Sequence, residues 1–308
     1  MQEEIYDVII IGGGAAGLTA GIYTCRAGLK TLMLEKLMPG GQVINAESIE
    51  NFPGFPDGIS GAEIGPLMQQ QAMRYGLEIQ LGEVDELVQN GDNWRVSAWG
   101  NDHTGKAVII AGGSTLRRLG IPGEEELYGA GVSYCATCDG GFFMNQTVGV
   151  VGGGDSALDE ALVLTEYASK VILFHRRDAF TGEKILQERV LSSPKIEVRW
   201  NTSVNEILGD DQVEGLAVVD EQSGETSRID LSGVFIYVGL DPNTDYLQDL
   251  LPLDNGGHIP TDIWMGTPAR GVFAAGDIRQ NSAAQLVSAA GDGATAAIAA
   301  RRYVEALR

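Results

Sequence analysis

One pattern occurs twice in this chain, at a constant separation, and it constrains the fold more than any other feature. Gly12-Gly13-Gly14-Ala15-Ala16-Gly17 follows an apolar run, Y-D-V-I-I-I at 6–11, and precedes a helix-compatible stretch at 18–27. A second apolar run, 31–34, then ends at Glu35. The same order returns with an apolar run at 148–151, Gly152-Gly153-Gly154-Asp155-Ser156-Ala157, a helical stretch at 158–167, and a run at 171–174 that ends at His175. Gly12 maps to Gly152 and Glu35 to His175, both 140 positions apart. Short, near-continuous apolar runs read as strands of a parallel sheet buried on both faces. A strand, a glycine turn, a helix and a second strand make a dinucleotide-binding unit. Gly12 permits the tight turn, Gly14 lets the backbone approach a diphosphate at the helix N-terminus, and Gly17 brings helix onto strand. The expected fold is therefore α/β, with two Rossmann-like dinucleotide-binding domains.

The copies differ where the second strand ends. Glu35 suits the free hydroxyls of a ribose and repels a 2′-phosphate; His175-Arg176-Arg177 does the reverse, since guanidinium groups pair with phosphate. Copy one is read as taking an FAD- or NAD-like dinucleotide and copy two as favouring NADP. A third stretch, G-V-F-A-A-G-D at 271–277, reads as a buried strand ending in an acid, before a small-residue helix at 290–303. Asp277 there suits a polyol hydroxyl such as the ribitol of a flavin. Copy two is closed by 245, so this late strand belongs to the first domain. The second domain, 117–245, is then inserted into the first, 1–115 with 246–308. Residues 39–61 are rich in Gly and Pro and read as a long functional loop. A helix is expected at 64–75 and strands near 78–80, 94–98 and 107–110. In copy two a helix is expected at 183–191, strands near 197–200, 215–219 and 233–238, and a linker at 239–246.

Just before the second copy stands G-V-S-Y-C-A-T-C-D-G-G, with Cys135 and Cys138 two residues apart and Asp139 next to them. Thiols at that spacing pass between dithiol and disulfide, and each sulfur can attack or leave in exchange. Half of a zinc site is the alternative, but it needs a second Cys or His pair. Cys25 is alone, and His103, His175 and His258 are dispersed, so no metal is expected. Three cysteines in 308 residues is intracellular usage. The N-terminus is acidic, its apolar run at 8–11 is too short for a signal peptide, and nothing is long enough to span a membrane, so a cytoplasmic protein is expected. With 21 Lys+Arg against 42 Asp+Glu, a net charge of −21 repels nucleic acid and anionic membranes alike.

Together these residues resemble the low-molecular-weight thioredoxin reductases over essentially the whole chain. The resemblance rests on the first glycine fingerprint, G-G-Q at 40–42, E-N-F-P-G-F-P at 50–56 and L-G-I-P-G-E-E-E-L at 119–127. It continues through C-A-T-C-D-G at 135–140, G-G-G-D-S-A at 152–157, H-R-R-D at 175–178 and the 271–277 strand. It implies FAD in the first domain, at Gly12, Gly14, Ala15, Ala16, Glu35, Lys36, Gly41, Gln42, Asn51, Val84, Gly113, Asp277 and Gln285. It implies NADPH in the second, at Gly152, Gly154, Asp155, Ser156, His175, Arg176 and Arg177. A homodimer, a rotation between domains, and a thioredoxin or related disulfide protein as electron acceptor are implied as well. In that scheme electrons pass from NADPH through the flavin to Cys135–Cys138, with Cys138 nearer the flavin and Asp139 as acid/base.

Three positions depart from the family pattern. Thr181 stands where H-R-R-x-x-x-R places an arginine, Ala284-Gln285 where Arg-Gln is usual, and Ala111-Gly112-Gly113 where Ala-Thr-Gly is usual. They leave an alternative: a related flavoprotein fed by ferredoxin, or one with a second flavin and reversed electron flow. A sensor that has lost turnover is disfavoured by two intact thiols and two intact glycine turns.

Overall fold

The computed structural model describes residues 4–247 and 250–307. Residues 1–3 at the acidic N-terminus, and residues 248–249 and 308 of the expected first domain, lie outside the described residues. The chain divides into two units, Met1–Thr115 with Asp241–Arg308, and Leu116–Leu240. The return crossing thus comes at 240/241, ahead of the expected 245/246. Asn243 is the reason: its backbone N–H donates to Gly113 O (3.0 Å) and its side-chain amide to Gly112 O (2.7 Å), which holds the returning chain to the first unit.

The first unit begins with β1 (Ile5–Ile11), α1 (Ala15–Arg26), β2 (Thr31–Glu35), α2 (Gly61–Arg74) and β3 (Glu78–Leu81). A meander of β4 (Val84–Asn90), β5 (Asn93–Ala98) and β6 (Asn101–Ile110) follows, and β7 (Ser114–Leu116) leads to the first crossing. In the second unit come β8 (Val132–Ser133), α3 (Ala136–Asp139), β9 (Thr147–Gly152), α4 (Asp155–Tyr167) and β10 (Lys170–Phe174). Then follow α5 (Lys184–Ser192), β11 (Ile196–Arg199), β12 (Thr202–Leu208), β13 (Gly215–Asp220), β14 (Thr226–Asp230) and β15 (Gly233–Tyr237). After β16 (Leu240–Pro242) the chain re-enters the first unit with β17 (Val272–Ala274) and α6 (Leu286–Ala306).

In the first unit β3, β2, β1 and the second half of β6 lie parallel, and β17 joins the far side of β6 through Val272↔Val108 and Phe273↔Ile109. Strand alternation sorts the core into two faces. Val8, Ile10, Met33, Ile109 and Phe273 pack under α1 and α6 with Leu18, Ala296 and Ala300. Ile9, Ile11, Leu32, Leu34 and Ile110 pack under the meander with Trp94 and Val96. The second unit repeats this plan. Its parallel sheet runs β11-β10-β9-β15-β8, with Val150 paired to Leu173 and Phe235. Val148, Val150 and Leu173 face α4, while Val151, Ile172 and Phe174 face the antiparallel β12-β13-β14. Burying each such side chain contributes about 1.5–3 kcal/mol, which is why strands apolar on both faces stay central.

Most expected elements lie within a few residues of their observed ends. The last helix is longer than expected, starting at Leu286, because Gln285 and Ser288 form a capping box ahead of the alanine-rich run. The long 39–61 loop contains a 3-10 turn, Gly41–Asn45, and an Ile49↔Ile59 bridge. The hairpin strand β4 and the edge strand β14 were not expected. Both are mostly exposed and polar, so neither has an apolar run to betray it.

Candidate functional site

The redox turn belongs to the second unit. Cys135 and Cys138 are joined as a disulfide, with Cys138 exposed and Cys135 half-buried. Cys135 caps α3, and the Cys138 N–H donates to Cys135 Sγ at 3.1 Å. Between them the buried Ala136 offers its N–H to Tyr237 Oη and Glu160 Oε2, both at 3.0 Å. Tyr237 ends β15 and Glu160 lies on α4, so the sheet and the covering helix both hold the turn. Burial, reinforced by the Glu160 charge, pushes the Tyr237 hydroxyl far above its usual range and keeps it protonated. Asp139 Oδ2 accepts from Ser133 Oγ at 2.6 Å, and that same Ser133 oxygen accepts the Cys135 N–H at 3.1 Å. A cavity of about 490 Å³ opens beside this group, walled by Gly131, Ser133, Asp139, Phe142, Gln146 and Asp211 among others. Among the described residues no three His, Cys, Asp or Glu side chains are grouped to hold a metal ion.

The first unit's glycine turn has the geometry of a dinucleotide cradle. Gly12 has φ +100°, and a side-chain carbon there would lie 2.4 Å from Ala111 O. Gly17 brings α1 so close that such a carbon would lie 2.0 Å from Gly12 O. Gly14, at the mouth of α1, is different: among the described residues, beyond its own chain neighbours, the nearest heavy atom to an added carbon is Gly41 Cα, at 3.9 Å. That open space at a helix N-terminus is what a diphosphate requires. The Gly13 N–H donates to Glu35 Oε2 at 2.6 Å, and the Leu37 N–H donates to Oε1 at 2.9 Å, which fixes the carboxylate at the strand end. Ala15 and Ala16 form the first turn of α1, and Gly276 comes so near that an added carbon would sit 3.0 Å from Ala16 Cβ. The following Asp277 is therefore carried beside the same helix mouth. Its carboxyl is pushed up by burial and accepts from Ser282 Oγ at 3.0 Å. Asn51 donates to Gln285 Oε1 at 3.0 Å, joining two expected flavin contacts 234 residues apart in sequence. Gln42 Nε2 reaches Ser114 O at 3.4 Å, and Gly113 accepts from Asn243 with φ +60°. Lys36 is turned to Glu83 (2.6 Å), and Val84 is half-buried against the meander core.

The second glycine turn repeats the first. Gly152 has φ +152°, and an added carbon would meet Tyr237 O at 2.4 Å. Gly154 faces open space, its nearest neighbour being Thr181 Oγ1 at 3.8 Å. Asp155 Oδ1 accepts the Glu183 N–H at 2.6 Å, while Ser156 is exposed on the first turn of α4. Arg176 and Arg177 are both exposed just past β10. His175 is placed otherwise. Its ring lies over Gly153, within 2.3 Å of where a side-chain carbon would be, with Nε2 on Ala179 O at 3.0 Å and Trp200 edge-on. Burial holds its pKa below the ordinary value, so the imidazole is neutral and packed inward at neutral pH.

Residues 6–293 match the sequence profile of the pyridine nucleotide-disulphide oxidoreductases. The chain belongs to that family. It is similar to thioredoxin reductase of Listeria monocytogenes, with 47% identity over 100% of this chain and 96% of that protein. Thioredoxin reductase of Bacillus subtilis is 45% identical over 100% of this chain and 97% of its own. Among solved structures, thioredoxin reductase of Lactococcus lactis superposes with a TM-score of 0.96 at 43% identity, covering 98% of this chain and 99% of that one. The resemblance to low-molecular-weight thioredoxin reductases, read first from short motifs, thus holds over the full length.

As a member of this oxidoreductase family the chain uses supporting residues that sequence reading missed. Glu160 and Tyr237, which hold the redox turn, lie 24 and 101 residues from Ala136, and nothing in their own neighbourhoods marks them. Asp292, only 7% exposed, pairs with Arg279 through two contacts, 2.6 and 3.0 Å, and accepts the Gly276 N–H at 3.2 Å. It thereby ties α6 to the Gly276-Asp277 turn. An acid inside an alanine- and glycine-rich helix was the available signal. Thr181, at the position of the usual arginine, donates its N–H (2.8 Å) and its hydroxyl (3.2 Å) to Gly153 O, and so serves the glycine turn itself.

Proposed function

We propose that the chain is an FAD-dependent thioredoxin reductase that draws electrons from NADPH and delivers them to the disulfide of a thioredoxin or related protein. The observation that carries this reading is the Cys135–Cys138 disulfide with Asp139 on its own turn, in the unit that also bears the second glycine cradle. Bound FAD would supply the relay between a hydride donor and a disulfide acceptor. In the first unit Gly12, Gly14, Ala15 and Ala16 would receive its diphosphate and Glu35 its ribose. Lys36, Gly41, Gln42, Asn51, Val84, Gly113, Asp277 and Gln285 would line the remainder. The open space over Gly14 and the immobilised Glu35 carboxylate support that fit.

In the second unit Gly152, Gly154, Asp155 and Ser156 would cradle the NADPH diphosphate. Arg176 and Arg177 would take its 2′-phosphate, being exposed cations past β10. His175 supports the turn from within. Once Cys135 and Cys138 are reduced, one thiolate attacks the target disulfide, a mixed disulfide forms, and the other thiol resolves it. Asp139 gives or takes the proton at sulfur. A homodimer in the cytoplasm completes the reading; among the described residues no helix is long and apolar enough to cross a membrane.

The test is anaerobic mixing of the flavin-loaded protein with NADPH or NADH, followed by thioredoxin reduction. NADPH should bleach the flavin at lower concentration than NADH. Cys135→Ser and Cys138→Ser should retain flavin yet lose thioredoxin reduction. Failure of both nucleotides at millimolar concentration would sink the pyridine-nucleotide donor and leave ferredoxin or a second flavin as the source. Full turnover in either serine variant would exclude the disulfide as the exit.

A further inference from the structure

Asp139 is held in the redox turn by its backbone N–H on Cys135 O at 3.1 Å, and its carboxyl group is held by Ser133. Ser133 Oγ lies 2.6 Å from Asp139 Oδ2, 3.3 Å from Cys135 O and 3.1 Å from Cys135 N. The Cys135 N–H occupies one lone pair of the serine oxygen. One hydroxyl proton and one lone pair remain, and two oxygens stand within reach of that proton. With Asp139 ionised, the proton points at the carboxylate. With Asp139 protonated, the carboxylic acid can donate to the serine lone pair while the serine proton turns to Cys135 O. No heavy atom has to move between the two arrangements.

We infer that Ser133 is the positioning residue of Asp139, holding its carboxyl group at the redox turn in both protonation states by turning one hydroxyl proton between Asp139 Oδ2 and the carbonyl oxygen of Cys135. This rests on the acid/base role proposed for Asp139. Two electrons entering the disulfide break the S–S bond and leave two thiolates, one of which stays ionised as the nucleophile for the target while the other takes a proton from Asp139. Asp139 becomes a carboxylate and regains its proton from solvent through the cavity that both Ser133 and Asp139 wall. The reverse transfer accompanies reoxidation by the target. The titratable groups around Asp139 are Cys135 and Cys138 on its own turn, Tyr237 on β15 with Glu160 behind it on α4, and Asp211 across the cavity. Tyr237 stays protonated, and both its hydroxyl oxygen and Glu160 already accept from Ala136 N–H, so neither substitutes for Ser133.

The experiment compares flavin-loaded wild type, Ser133→Ala, Ser133→Thr and Asp139→Asn, with oxidised thioredoxin as substrate and kcat measured from about pH 5 to pH 9. In parallel, the chemically reduced proteins in a Cys25→Ser background are alkylated with iodoacetamide across the same range, which reads the thiolates without turnover. Removing a well-placed acid/base costs about a hundredfold or more, and misplacing it costs a part of that. Ser133→Ala should therefore lower kcat about tenfold with KM for thioredoxin unchanged, and distort both pH profiles in the direction of Asp139→Asn. Ser133→Thr keeps the hydroxyl at a residue that walls the cavity and should stay within about threefold of wild type. If alanine impairs folding or flavin retention, Ser133→Gly, which also lacks the hydroxyl and adds no thiol, takes its place. Wild-type pH profiles in Ser133→Ala beside altered ones in Asp139→Asn would overturn the inference and leave the Asp139 role standing. So would a folded Ser133→Thr as slow as alanine. Unaltered rates and profiles in Asp139→Asn would overturn the acid/base reading itself.

Discussion

Gly293→Ala is the sharpest test of how the dinucleotide cradle of the first unit is held together. Gly293 is buried within α6 where that helix crosses the first turn of α1, and an added Cβ would lie 2.0 Å from Ala16 O and 2.8 Å from Ala16 C. Carbon and carbonyl oxygen do not normally approach closer than about 3.3 Å, so the helices must part by roughly 1.3 Å. The obstacle is backbone, with the sheet behind it, and cannot rotate aside as a side chain would. Overpacking of this kind costs about 1–3 kcal/mol, and backbone against backbone belongs at the upper end. Replacing a helical glycine returns about 1 kcal/mol, leaving a net loss of about 2 kcal/mol. Gly291, two residues earlier in the same helix, is the control: among the described residues nothing outside its own helical backbone lies within 4 Å of its added carbon, so Gly291→Ala should stabilise by about 0.5–1 kcal/mol. Urea unfolding followed by tryptophan fluorescence, with flavin content measured alongside, separates the two. Ala16 lies in the proposed cradle, so Gly293→Ala should also release flavin more readily. A Gly293→Ala midpoint at or above wild type, or equal shifts in the two variants, would refute the close-packing argument.

Thr181→Arg should tighten NADPH by roughly four- to twelvefold and leave NADH unchanged, read by anaerobic flavin-bleaching titration. A charge-assisted contact contributes about 1.5–3 kcal/mol at best, and the exposed position 181 allows about half of that. The backbone N–H to Gly153 survives the change, so the turn persists; an equal gain for both nucleotides, or a gain insensitive to salt, would exclude the 2′-phosphate as its origin. Asp277→Asn should stabilise the flavin-free protein at neutral pH while weakening flavin retention. Burial raises the folded-state pKa of Asp277, so the wild-type carboxyl favours folding below its unfolded value, near pH 4, and that benefit is lost as pH rises through the folded value. The stability difference between variant and wild type should therefore grow with pH from about 4 upward, and a difference constant with pH would contradict it.

Features carried by local pattern are legible in the chain of residues alone. The two glycine turns, the parallel strands before and after them, and the C-x-x-C each occupy a few consecutive residues whose spacing is itself the chemical requirement. Asp277 can be assigned to the first unit because a strand ending in an acid belongs to a sheet other than that of copy two, which closes ahead of it. Asn51 and Gln285 are reached only through family resemblance, since 234 residues separate them and the Nδ2···Oε1 contact exists only once the 39–61 loop and α6 are placed. His175 shows the limit most plainly. Its position at the strand end, matching Glu35, is readable, but the direction of its ring is not. That direction is set by Phe180 and Trp200, which offer an apolar niche, and by the space above a glycine at 153. Glu160, Tyr237 and Asp292 belong to the same class, polar groups whose partners come from other elements. A sequence determines by itself which segments must be buried and which turns need glycine, because those depend on residues adjacent in the chain. Only tertiary structure decides where a polar side chain inside the fold finds its partner, because that partner is chosen by packing between elements far apart in sequence.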